Sequence, residues 1–217
     1  MKNKSGTILI ILGAVLILSA LSLLLWNRTE DQMAGNQAGE ALEQLREHLP
    51  ATAPASSAPP QETALPDLTR PADMESIPIG GYEYIGYLAI PALELELPVM
   101  AQWDYARLQI APCRESGGTA TNDLVIAAHN YDSHFGRLHR LQPGDWVTFT
   151  EVDGFLNTYR VEFCQVLQPE QVEAVLLSEY DLVLYTCTKG GATRVVVYCN
   201  REESAGACVI TTERIEK

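Results

Sequence analysis

The chain has 217 residues, with 28 Asp and Glu against 15 Lys and Arg, a formal net charge of −13. That balance excludes nucleic-acid binding through a basic footprint, and the length allows one good core plus appendages rather than two full domains. Five cysteines, Cys113, Cys164, Cys187, Cys199 and Cys208, show no metal-ligand spacing and no C-x-x-C, and their odd number leaves at least one thiol unpaired unless it bridges to another chain.

Thr7 to Trp26 runs for twenty residues without a charge. As a helix it spans about 30 Å, the thickness of a bilayer's hydrocarbon core. Lys2 and Lys4 precede it, which predicts a cytoplasmic N-terminus and an extracellular remainder. A cleaved signal peptide is the competing reading. It requires a shorter apolar core and small residues at a cleavage site, and Gln32-Met33-Ala34 suits that badly. Asp31 to Leu49 places Ala38, Ala41, Leu42, Leu45 and Leu49 at helical spacing, which predicts a short amphipathic helix, a stalk packing weakly on its own domain. Pro50 to Gly80 is rich in Pro, Ala, Ser and Thr and reads as a linker.

From Gly81 onward the pattern changes. Strand runs are expected over Tyr84–Ile90, Leu95–Met100, Leu124–Ala128, Trp146–Thr150 and Thr158–Val166, with a helical turn in Asp104–Ile110 and a short helix or turn from Pro169 through Leu177. Asp153-Gly154 marks one hairpin. Many short strands punctuated by Gly, Pro and Asp predict an all-β barrel with short helices. The sharpest stretch is Asp181 to Asn200, DLVLYTCTKGGATRVVVYCN. With Gly190-Gly191 as the turn tip, paired residues sum to 381, so Cys187 faces Arg194 and Cys199 faces Leu182 on the other face. A Cys187–Cys199 disulfide is thereby disfavoured. A thiol beside a permanent cation at a strand end has the surroundings of an activated nucleophile, whereas a cysteine inside a strand is otherwise an inert small hydrophobe.

His129 ends an apolar strand and opens a polar loop, where a scaffold holds a group and substrate reaches it. Asn130 is placed to orient it, and Tyr131 and His134 to line a cleft, unless the loop is merely solvated. His129, His134 and His139 recur at intervals of five, which does not bring three ligands to one face, so no metal set is assigned. Arg201 is the rival of Arg194, and beyond the strand it reads as a surface residue.

The ordered set "YIGYLAIPALELELPVM", "IAPCRESGG", "NDLVIAAHNYDSHFGRLHRLQPGD", "LYTCT" and "TRVVVYCNR", behind an N-terminal apolar segment, resembles the sortases, cysteine transpeptidases of Gram-positive cell surfaces. One departure stands out: the family's T-L-x-T-C reads Val183-Leu184-Tyr185-Thr186-Cys187. The resemblance implies an eight-stranded β-barrel with the site at one end. It implies residues 1–6 as cytoplasmic, 7–26 as a transmembrane anchor, 27–80 as helix and linker, and 81–217 as the catalytic domain. Cys187 would attack the threonine carbonyl of an LPxTG-like sorting signal, His129 would protonate the leaving amine, and Arg194 would bind the oxyanion, with Thr186 as a further donor. A thioester would then pass to an amine on a cell-wall precursor or pilin. No cofactor is implied; some sortases use calcium, but no cluster of carboxylates here supports it. The alternative from another class is an anchored, non-catalytic β-barrel that binds peptides, with Cys187 inert.

Overall fold

The computed structural model describes residues 4–50, 73–171 and 175–202. Helix α1 (Lys4–His48) is followed by β1 (Ile77–Ile79), β2 (Tyr82–Ile90), β3 (Leu95–Met100), the short helix α2 (Tyr105–Leu108), β4 (Cys113–Ser116) and β5 (Leu124–Ala127). Then come β6 (Trp146–Glu151), β7 (Leu156–Leu167), β8 (Leu182–Cys187) and β9 (Arg194–Arg201).

The strands lie in the order β1-β2-β3-β4-β5-β8-β9-β7-β6, and β6 pairs back onto β2. Strands β2 to β9 thus form a closed eight-stranded barrel, which abolishes exposed edges. Most neighbours are antiparallel. The β3–β4 contact and the β5–β8 pairing are parallel. Alternating side chains fill the interior: Leu124 and Ile126 from β5, Leu182 and Leu184 from β8, and Val195, Val197 and Cys199 from β9 share one core with Phe149, Tyr159 and Val161. Val125, Val183, Val196 and Tyr198, from the alternate positions, form a second cluster outside the barrel wall with Leu167 and Val175.

The Gly-Gly hairpin has the register expected from the sequence. Cys187 pairs with Arg194 and Leu182 with Cys199, and Gly190 and Gly191 both take positive φ, the conformation a tight turn of this kind requires. Two strands escaped the sequence reading. β4 is four residues of CRES with little apolar signal, and β1 is three residues lying ahead of Gly81 in the stretch read as linker. Residues 51–72 of that stretch lie outside the described residues, as does Cys208.

The expected anchor helix and amphipathic helix are one uninterrupted helix of 45 residues. Nothing between Trp26 and Asp31 breaks it: Asn27, Arg28, Thr29 and Glu30 all tolerate helix, and Trp26 Nε1 donates to Glu30 one turn on at 2.7 Å. The helix ends before Pro50, which disfavours helix in the residue ahead of it. Its first half is apolar and long enough to cross a membrane, with large apolar side chains from Ile8 to Trp26 at 50–74% exposure. Its second half buries Ala34, Ala38, Ala41, Leu42 and Leu45, a stripe at helical spacing. Ala41, Leu42 and Leu45 meet Ile79, Tyr84, Tyr87 and Met100 on the barrel. Arg46 closes the contact, pairing with Glu96 at 2.6 Å and covering the Tyr87 ring at 5.2 Å.

Leu45 is fully buried in this seam. Leu45→Ala is therefore expected to destabilise the full-length protein by about 2–5 kcal/mol, as buried leucine truncations do, read as a lowered midpoint of denaturant unfolding in detergent.

Candidate active site

Three neighbouring strands end together. β5 and β8 run parallel with Ala127 beside Tyr185, and the ladder continues as Ala128 N donates to Tyr185 O at 3.2 Å. Continued two residues further, the same register sets His129 beside Cys187, and the Thr186–Ala128 and Asn130–Thr188 hydrogen bonds bracket the two. β9 then brings Arg194 directly opposite Cys187 on the far side. His129, Cys187 and Arg194 are thus adjacent in lateral order. Alternation also gives them one face. Leu124, Ile126 and Ala128, Leu182 and Leu184, and Val195, Val197 and Cys199 all belong to the interior core, so the three site residues occupy the outward positions. All three are half-buried.

The neighbouring residues fix this arrangement. Thr186 faces inward, 2% exposed, and its hydroxyl donates to Ala128 O at 2.8 Å. It braces β8 against β5, which corrects the expectation of a hydroxyl donor to substrate. Asn130 Nδ2 donates to Thr188 O at 3.0 Å, tying the loop after His129 to the end of the cysteine strand. One amide N–H of Asn130 is thereby committed to the hairpin. Across the turn, Thr188 and Thr193 join their hydroxyls at 2.9 Å, and Arg194 Nη1 donates to Gly191 O at 3.1 Å and Thr193 O at 3.2 Å. The guanidinium is held by its own hairpin, near the thiol in register and supplied with further N–H donors.

The Tyr131 ring lies against His129, centroids 5.0 Å apart and tilted by 33°, and against His134 at 5.6 Å and 59°. His134 is no cleft residue: it is wholly buried, and neither ring nitrogen has a well-formed hydrogen bond. Burial, with His129 adding to it, pushes His134 down to about 4. His129 is also held below the usual imidazole range, first by burial, against which the Glu30 charge acts weakly. His139 is exposed, with Nδ1 on Gly136 O. Among the described residues no three His, Cys, Asp or Glu side chains converge as metal ligands.

Arg201 is not a plain surface residue. At the other end of β9 its Nη2 donates to Thr119 O and to Tyr159 Oη, so it belongs to an inward polar cluster far from Cys187 in register. The described cysteines Cys113, Cys164, Cys187 and Cys199 are all free thiols. Burial pushes Cys113 up to about 12 and raises Cys164 and Cys199 as well, which makes these three poor nucleophiles near neutral pH.

Sequence reading missed Tyr185 and Glu115. Tyr185 stands on the outward face two residues before Cys187 and donates its hydroxyl to Glu115 at 2.9 Å. Period-two alternation from Cys187 would have found the tyrosine. Glu115 comes from the unrecognised β4 and had no such signal. Beyond it, Trp103, Arg114, Glu115 and Asp123 help line a cavity of about 530 Å³, which does not contain the three site residues.

The family model described as Sortase domain matches residues 88–202. Among solved structures, the chain is similar to sortase C1 of Streptococcus suis at 28% identity, covering 56% of this chain and 74% of that one, with a TM-score of 0.48. It is also similar to sortase C1 of Streptococcus agalactiae at 25% identity, covering 55% and 68%, with a TM-score of 0.49. Sortase C of Clostridium perfringens SM101 aligns at 20% identity over 81% of this chain and 90% of that one, with a TM-score of 0.48. No curated protein matches the chain.

The buried His134 has a consequence for acid stability. Its folded pKa of about 4 lies below the unfolded value of about 6.5, so the unfolded chain binds the extra proton first. The stability carried by the neutral ring is complete above pH ~6.5 and falls as the pH drops through ~4, by about 3 kcal/mol in all. Unfolding midpoints measured between those pH values should decline less steeply for His134→Gln, which cannot take up the proton.

Proposed function

The chain belongs to the sortase family of cysteine transpeptidases, and on that premise we propose that it is a membrane-anchored enzyme joining surface proteins to an amine through a Cys187 thioester. The observation that carries this reading is the lateral row His129, Cys187, Arg194 on the outward face of three adjacent strand ends. In the proposed reaction the Cys187 thiolate attacks the threonine carbonyl of an LPxTG-like signal. Negative charge moves to the carbonyl oxygen, where Arg194 donates hydrogen bonds from a cation that stays charged throughout the working pH range. As the C–N bond breaks, protonated His129 gives its proton to the leaving amine, and the thioester remains. An incoming amine attacks the thioester, His129 takes its proton, and the thiolate leaves with a new amide formed.

The surroundings suit that chemistry. On the same side of the strands as Cys187, Val125, Val183, Val196 and Tyr198 are buried with Leu167 and Val175 in a packed cluster that backs the row and holds the strand ends rigid. The acceptor is an amine on a cell-wall precursor or pilin. Residues 7–26 anchor the protein, with the N-terminus cytoplasmic and the barrel outside, by the lysines ahead of the apolar span.

Intact mass spectrometry of the full chain, incubated with LPxTG-like peptides and a glycine-type amine, tests the reading. The expected result is an acyl adduct on Cys187, discharged by the amine into a ligated product, and lost in Cys187→Ala. Arg194→Ala should lower turnover about 10²–10³-fold without lowering the unfolding midpoint. Absence of any adduct, together with slow alkylation of Cys187 near neutral pH, would mark the chain as a binding barrel with an inert thiol.

A further inference from the structure

Helix α1 does more than lead from the apolar span to the barrel. Five residues beyond Trp26, about 7.5 Å along the axis, it reaches the loop that carries His129. There the Asp31 carboxylate accepts the Ser133 backbone N–H at 3.0 Å and also the Ser133 hydroxyl, which lies 3.0 Å from the Asp31 carbonyl oxygen. One turn on, Gly35 permits the close approach: a Cβ there would stand 3.0 Å from Ser133 Cβ, inside ordinary carbon contact. The helix meets this loop and the barrel wall through separate contacts, since Arg46 and Glu96 lie at its far end.

Apart from Asp31, the loop is held by the buried Phe135, whose backbone N–H donates to His129 O at 3.1 Å. Asn130 holds it to Thr188, and the exposed Lys189–Asp132 pair at 3.6 Å adds little. Its other side rests on α1. From Ser133 the path back to the imidazole is short, because the His134, Tyr131 and His129 rings lie against one another in sequence, with centroids 5.6 and 5.0 Å apart and planes tilted by 59° and 33°. A shift of Ser133 therefore moves the rings on which His129 rests.

We propose that Asp31 is a positioning residue for His129: through Ser133 it fixes the catalytic loop to the same rigid helix that forms the apolar span. The role rests on the sortase reading of His129. A general acid must meet the departing nitrogen at hydrogen-bond distance, and misplacement by about 1 Å costs up to ~10²-fold in rate. Asp31 thus acts on the chemical step through His129 rather than on peptide binding.

The test uses the full chain in lipid nanodiscs. Asp31→Ala should lower kcat about 10–100-fold with KM for the sorting peptide within about twofold and an unchanged unfolding midpoint. Asp31→Asn, whose Oδ1 still accepts from Ser133, should recover most of the rate. Arg46→Ala, which loosens the helix elsewhere, should leave kcat at the wild-type value. Hydrogen exchange across residues 130–135 should quicken in Asp31→Ala alone. Wild-type kcat in Asp31→Ala, equal losses in Asp31→Ala and Arg46→Ala, or failure of Asp31→Asn to recover the rate would each overturn the proposal. A wild-type chain without acyl transfer would instead overturn the sortase reading, and the exchange rates alone would then decide whether Asp31 holds the loop.

Discussion

Parallel pairing of β5 with β8 is the constraint on which the site depends. An antiparallel neighbour would send the chain after β5 to the opposite end from the residues after β8, leaving His129 and Cys187 a strand length apart. Running side by side, both strands release their next residues at the same end, and a shared register puts the two side chains on one face. A parallel pair cannot be joined by a tight turn. The chain must travel away and return, and here β6 and β7 fill that excursion and close the barrel against β2 and β9. The same pairing that creates the site therefore dictates the barrel's connectivity.

β9 completes the row by a different and more local device. The Gly-Gly turn brings the chain straight back, so Arg194 opposite Cys187 follows from counting residues about the turn. A one-residue slip would turn Arg194 into the core, where Val195 now sits, and an unpaired guanidinium is costly there. The hydrophobic alternation Val195, Val197, Cys199 holds the register in place.

This difference in range explains what was legible in the sequence. The hairpin, its register and the outward placement of Cys187 and Arg194 were readable because turn chemistry and period-two alternation are local signals. The neighbourhood of His129 and Cys187 was not, since their pairing spans the whole β6–β7 excursion and only the family resemblance united them. β4 escaped because Arg114, Glu115 and Ser116 are half-buried and polar along a strand of four residues. The docking of α1 was half visible: the stripe from Ala38 to Leu45 was read as helical, but its burial against Tyr84, Tyr87 and Met100 depends on tertiary contact. Asp31 and Ser133, one hundred and two residues apart, carry no pattern that links them. His134 looked like a loop residue because its sequence neighbours are polar. It is buried because a helix from the other end of the chain lies over it.

Burial of His129 has two opposed effects on the proposed chemistry. Loss of solvent lowers the share of imidazolium near pH 7, so fewer molecules hold the proton that the leaving amine needs. The same loss makes the imidazolium a stronger acid, and proton transfer from it to a departing nitrogen is correspondingly more favourable. The balance is set partly from outside the barrel. Glu30, on the helix that holds the loop, opposes the desolvation and keeps His129 from falling further. Arg194 lies on the other side of the sulfur, opposite Cys187 in the hairpin register. His129 thereby brings a pH response into the reaction. α1 enters that response twice, as the support of the loop and through the Glu30 charge that acts on the ring.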